Sequence, residues 1–301
     1  MAFLTPVVAQ ITPSVIVNNT NGPALATFPS SVQPGSTVVL CGSGWNYAET
    51  AGVITSLGDN QGNGWALDPQ IESAAGAHNF GFMGYAANVA STGTFSIQAN
   101  ATVVNGSNRL AIVGLELRNV ATANVRDTAI SQAGGAGATS VSIGPTGTPT
   151  QTHVIAIAMC AGLGVTNISS PAGWTLVGEN DLADGSSSLK VLYRVVTDGT
   201  ASSASFTHDL NDFGNIALLQ VFKAKTSNLR IKVRCNSAAI GAQGIRGGVF
   251  QYQGIVGPLL GTFQNLAFQP VGDSQNNAVL YIPADTLGLN NGDNCKVTCW
   301  N

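Results

Sequence analysis

Apolar and polar residues alternate along this chain in many short runs bounded by Gly, Asn, Asp, Ser and Pro. The runs include Thr37–Cys41 (TVVLC), Gly93–Ala99 (GTFSIQA), Arg109–Leu117 (RLAIVGLEL), Thr152–Met159 (THVIAIAM), Ser188–Val196 (SLKVLYRVV), Ser203–Thr207 (SASFT), Asn215–Phe222 (NIALLQVF) and Leu229–Cys235 (LRIKVRC). Runs of this length between turn-forming residues predict β-strands. No stretch sustains a helical period between caps. The even spacing of the runs predicts an all-β chain of antiparallel sandwiches, jelly-roll or Ig-like in type.

The runs recur in the same order. Val53–Pro69 (VITSLGDNQGNGWALDP) and Val165–Asp181 (VTNISSPAGWTLVGEND) each carry a short strand, a Gly-containing turn and a tryptophan, Trp65 or Trp174. Each is followed by an aromatic-bearing strand and then a strongly apolar one, ending at Leu110–Leu117 and Asn215–Phe222. The order predicts two tandem domains of one fold, residues 1–126 and 127–225, with a Gly-rich linker within Ala133–Gly147. A smaller third unit, residues 226–301, is expected to be an Ig-like β domain.

The elements "V-x-x-x-x-D-N-x-G-N-x-W" and YAANVASTGTFSIQA, with PAGWTLVGEND and LKVLYRVV in the second half, resemble a β-sandwich repeat of bacteriophage virion proteins and bacterial surface proteins. The resemblance spans residues 36–225. It implies a non-enzymatic virion structural protein exposed on the particle, as tail fibre, spike, receptor-binding protein or capsid decoration. The alternative it leaves is a bacterial surface adhesin or carbohydrate-binding module.

Composition narrows the function classes. The chain has 301 residues, 44% hydrophobic yet only 9% charged, with a net charge of -3. A typical domain is about a quarter charged. Disorder requires the opposite balance, and the net charge offers nothing to a polyanion such as nucleic acid. So few charges predict a neutral surface suited to contacts between copies. Copies of itself, as a trimer, are therefore expected partners, and the resemblance adds other virion proteins and, as a further option, a host-surface glycan. No apolar run is long enough for a transmembrane helix. The opening MAFLTPVVAQITPSVIV has no basic region and is broken by Pro6 and Pro13, so no cleavable signal peptide is expected. That absence disfavours the surface adhesin. Five widely spread cysteines form no disulfide framework, which predicts synthesis in a reducing cytoplasm before assembly into the virion.

Chemistry-bearing motifs are sparse. The three histidines, His78, His153 and His208, have no metal-ligand spacing. The turn from Asp59 superficially matches a calcium loop, but its twelfth position is Gln70 rather than a bidentate Glu. No nucleophile elbow, phosphate loop or dinucleotide fingerprint is present. No catalytic residue, metal or cofactor is therefore expected. The aromatics of the turns, Trp45 and Tyr47 in GSGWNY and Trp65 in GNGW, are the candidates for binding a sugar or a partner. In LRIKVRC, Arg230, Lys232 and Arg234 alternate with aliphatics and so share one strand face. They are candidates for contact with an acidic neighbouring subunit.

Overall fold

The computed structural model describes residues 3–18, 23–46, 53–72, 79–102, 108–128, 131–135, 139–162, 167–181, 188–209, 214–226, 229–234, 245–254, 257–266, 277–282 and 294–300. Among them every regular element is a strand and every pairing is antiparallel, so the protein is all-β. The chain divides into two compact units, Thr5–Ala224 and a second formed by Met1–Leu4 with Lys225–Asn301.

The larger unit begins with β1 (Val7–Ile11), β2 (Val15–Asn18), β3 (Ala24–Thr27), β4 (Thr37–Asn46), β5 (Val53–Asp59), β6 (Ala66–Leu67), β7 (Ile71–Glu72), β8 (Asn79–Ala86), β9 (Ser96–Thr102) and β10 (Asn108–Arg118). Its second half contributes β11 (Ser131–Gly135), β12 (Ser140–Ile143), β13 (Val154–Gly162), β14 (Thr175–Asp181), β15 (Ser188–Val196), β16 (Ala204–Thr207) and β17 (Asn215–Lys223). A seven-stranded sheet has the order β1-β10-β4-β8-β6, with β2 also on β10 and β7 also on β8. A five-stranded sheet has the order β11-β17-β13-β15-β14. Two smaller sheets, β3-β9-β5 and β12-β16, complete the unit.

Three cores separate these four layers. Val39, Cys41, Met83, Val113 and Leu115 of the seven-stranded sheet meet Ile155, Ile157, Met159, Leu218 and Phe222 of the five-stranded sheet. On its other face the seven-stranded sheet carries Val38, Leu40, Phe80, Phe82 and Ile112, packed with Ala26, Phe95 and Ile97 of the β3-β9-β5 layer. The outer face of the five-stranded sheet packs Val154, Ala156, Leu219 and Val221 against Val141, Ile143 and Phe206. The two large sheets are thus covered on both sides. That is why their strands read as continuous apolar runs rather than strict alternations. Every residue of β13 is buried. Much of the apolar content of the chain is therefore consumed between layers.

The halves repeat at the level of register. Cys41 lies between Val113 and Met83, and Met159 lies between Leu218 and Val191. Ala66 pairs with Tyr85, as Thr175 pairs with Tyr193, so Trp65 and Trp174 precede equivalent positions. The outer layers differ: β5 forms a third strand on β9, whereas β16 has only β12 among the described residues.

Gln220 interrupts the central core. It lies between Leu218 and Phe222 on the central face of β17, is fully buried, and neither end of its amide has a hydrogen-bond partner. An unsatisfied buried amide costs about 1–3 kcal/mol. Gln220→Leu is therefore expected to raise stability by about 1 kcal/mol, seen as a higher urea midpoint at unchanged m-value. A lower midpoint would mean that the amide is satisfied in solution.

The smaller unit is described at the level of its backbone from β18 onward. There β18 (Leu229–Arg234) pairs with β21 (Asn277–Ile282), and β19 (Ile245–Gly254) lies between β20 (Gly257–Leu266) and β22 (Asn294–Trp300). Its N-terminal piece is tied in by a bridge from Phe3 to Thr226 and by the Leu4 amide donating to the Lys225 carbonyl at 2.8 Å.

Candidate functional site

The most elaborately built surface feature is the turn from Asp59 to Trp65, between β5 and β6. Asp and Asn hydrogen-bond their own backbone a few residues on, which makes such a sequence turn-forming. One Asp59 carboxylate oxygen accepts from the Gln61 amide at 2.8 Å and from the Asn63 amide and side chain, each at 3.2 Å. The other accepts the Trp65 indole N–H at 2.7 Å. The turn is then docked on residues 90–96. Asn60 donates to the Thr94 carbonyl at 2.9 Å and accepts from the Ser96 amide at 3.0 Å. Asn63 makes the same two-way contact with Ala90, at 3.0 Å and 2.7 Å.

Both Asp59 oxygens thus accept from protein donors, and these bonds pin the turn. Trp65 is half-buried, packs against the outer core of the first half and has its N–H committed to Asp59. Its equivalent, Trp174, is buried and donates to the Ser203 carbonyl at 3.1 Å.

Trp45 is next to last on β4, its backbone between Arg109 of β10 and Asn79 of β8. Tyr47 lies outside the described residues. Arg230, Lys232 and Arg234 occupy alternate positions of β18, opposite Tyr281, Val279 and Asn277 of β21.

His208 is buried, with Nε2 at 2.9 Å from the Asn215 amide nitrogen, while exposed Asp209 accepts from Asn167 at 2.7 Å. Cys41 and Cys160 are buried, and burial pushes both thiols up, Cys160 to about 12 in spite of nearby Lys190. Neither is a thiolate at neutral pH, so neither is activated as a nucleophile. Lys190 is buried beside Cys160, donates to the Ile168 carbonyl and lies 3.5 Å from Glu179. Among the described residues no three His, Cys, Asp or Glu side chains group to hold a metal ion.

Two polar clusters carry no local sequence signal, because their members are far apart in the chain. Glu116 on β10 gathers donors from Gln10, Gln33, Ser36 and Arg118. Asp68 pairs with Arg126, whose guanidinium carbon lies 5.2 Å from the centre of the Tyr85 ring, and Tyr85 meets Phe222 edge-on at 5.6 Å. Burial raises the Asp68 carboxyl above its ordinary value, although Arg126 opposes the rise. The Asp68 contacts join the first half, Arg126 beyond β10, and Phe222 of β17.

No protein family, curated protein or solved structure matches this chain.

Proposed function

We propose that this chain is a non-enzymatic structural protein of a bacteriophage virion, exposed on the particle and working through assembly of copies and surface contacts. The observation that carries the reading is the duplicated strand order, with the larger sheets of the two halves stacked on each other. Each half, with its larger and smaller sheet around a core, is read as one jelly-roll sandwich, and the unit beyond residue 225 as an Ig-like module. Jelly rolls recur in viral capsids and lectins; this is an analogy at the level of fold. The buried thiols and the hydrogen-bonded Asp59 also suit a scaffold better than a reaction centre.

The same lectin analogy, with the amide-rich turn at Asp59–Trp65, supports the second reading, a carbohydrate-binding module or adhesin. Light scattering of the purified chain separates the readings when combined with a glycan screen. Assembly is expected to give a homo-oligomer that binds further virion components. A monomer at high concentration, absent from particles and bound to glycan, would overturn the virion reading.

The basic positions of β18 offer a sharper test. If they meet an acidic neighbouring subunit, Lys232→Glu with Arg234→Glu is expected to block assembly while leaving the circular dichroism unchanged. Unchanged incorporation would remove that role.

A further inference from the structure

A strand at the border of a sheet presents unpaired N–H and C=O groups to other chains, and native proteins blunt such edges. Each outer sheet of the larger unit has such a border on either side, and two of them carry a distinct arrangement among the described residues: the side of β5 away from β9, and the side of β16 away from β12. The first is closed by one side chain, the second by a backbone amide together with two side chains.

At β5, the Gln70 carboxamide binds a backbone residue on both of its groups. The Ile54 amide donates to Gln70 Oε1 at 2.8 Å, and Gln70 Nε2 donates to the Ile54 carbonyl at 2.9 Å. The N–H and C=O of one strand residue point to the same side. Gln70 therefore occupies the pair of groups that a neighbouring strand would use. Next to it, the bulge between Ile54 and Ser56 bends the edge further.

At β16, the Asn167–Trp174 segment does the same without forming a strand. The Ser169 amide donates to the Thr207 carbonyl at 2.7 Å, the Thr207 amide donates to Ser169 Oγ at 2.8 Å, and the Trp174 indole donates to the Ser203 carbonyl. Ile168 anchors the segment in the core.

We infer that Gln70, and Ser169 with Trp174, are edge guards: they block strand-by-strand pairing with a second copy at the β5 and β16 borders of the outer sheets, so copies do not associate there. The inference does not depend on the virion reading, since it holds for any role of the protein.

Gln70→Ala tests it. The Ile54 amide is expected to exchange with solvent at least about tenfold faster, and the variant to self-associate beyond the wild-type state in a concentration-dependent way. The added change Thr55→Lys, which puts a charge on β5 at the loss of the 3.2 Å bond from Thr55 Oγ1 to the Asn100 carbonyl of β9, is expected to reverse the association. If Gln70→Ala keeps both the wild-type mass and the wild-type Ile54 exchange, the inference fails. It also fails if Thr55→Lys leaves the aggregates intact, because they would then reflect unfolding. Ser169→Ala repeats the test on the other border, with Thr207 exchange as its readout.

Discussion

Gly42→Ala is expected to destabilise the protein by about 3 kcal/mol, at the upper end of what overpacking a core costs, and to lower Tm by roughly 6–12 °C for a unit of this size. Gly42 sits near the middle of β4 and pairs with Phe82 of β8 on one side and Ile112 of β10 on the other. Phe82 lies across it, where a side chain would otherwise stand. A Cβ at Gly42 would come within 2.2 Å of the Phe82 ring and 2.9 Å of the Ala111 carbonyl oxygen. The ring is fully buried beside Phe80, with centroids 6.4 Å apart, so it cannot swing outward. The carbonyl belongs to the next strand and cannot yield without opening the sheet. A calorimetric Tm within 2 °C of wild type, a threshold set at about half a kcal/mol, would show that the layers are looser than their side chains imply.

Glu116→Ala is expected to cost about 2 kcal/mol near neutral pH, within the range for leaving hydrogen-bond donors of a partly buried network without their acceptor. The carboxylate is buried and accepts from Gln33 N–H at 2.9 Å, Ser36 Oγ at 2.8 Å, Arg118 Nε at 2.8 Å and Gln10 Nε2 at 2.6 Å. Gln10 in turn accepts from the amide and hydroxyl of Ser30, at 3.2 Å and 2.7 Å. One side chain thus ties edge strand β1, the loop before β4 and β10 into a single network. Its removal leaves the buried Ser36 hydroxyl and three partly buried donors without their acceptor, which is the costly case.

The pH dependence follows from the same geometry. Burial pushes the Glu116 carboxyl up, but hydrogen bonds from Arg118, Gln33, Ser36 and Gln10 outweigh it and hold it below the ordinary carboxylate value. A depressed value in the folded state means stability that is present above the unfolded value and is lost as the pH falls through the folded one. Wild type and Glu116→Ala should therefore converge in urea midpoint as the pH is taken from 7 to below about 3, starting from an unfolded value near 4.3. Parallel curves would show that Glu116 contributes nothing through its charge. Asp68 acts with the opposite sign. Its raised value makes the ionised form a burden on the folded state, so its contribution declines as the pH rises from the unfolded to the folded value.

The absence of helix, and most of the strands, were legible from local pattern. TVVLC, RLAIVGLEL, THVIAIAM, SLKVLYRVV and NIALLQVF all fall on strands, because a run of β-branched and aliphatic residues between turn formers has few other ways to bury itself. The correspondence of Trp65 with Trp174 was also legible, since similar turn chemistry precedes each. The roles of the two rings were not. One N–H is taken by a carboxylate six residues back and the other by a carbonyl twenty-nine residues on.

By itself, then, the sequence determined the all-β class, the order of strands and the parallel between the two halves. These follow from periodicity and turn residues, which act within a few positions along the chain. Only the tertiary structure decided that the two large sheets stack, so that a charge-poor chain fills three cores with its apolar residues. It alone brought Gln10 to Glu116 and Asp68 to Arg126. It alone turned Gln70 into a partner for the Ile54 backbone. Such contacts join residues up to about a hundred positions apart, and they exist only once the layers have closed around them.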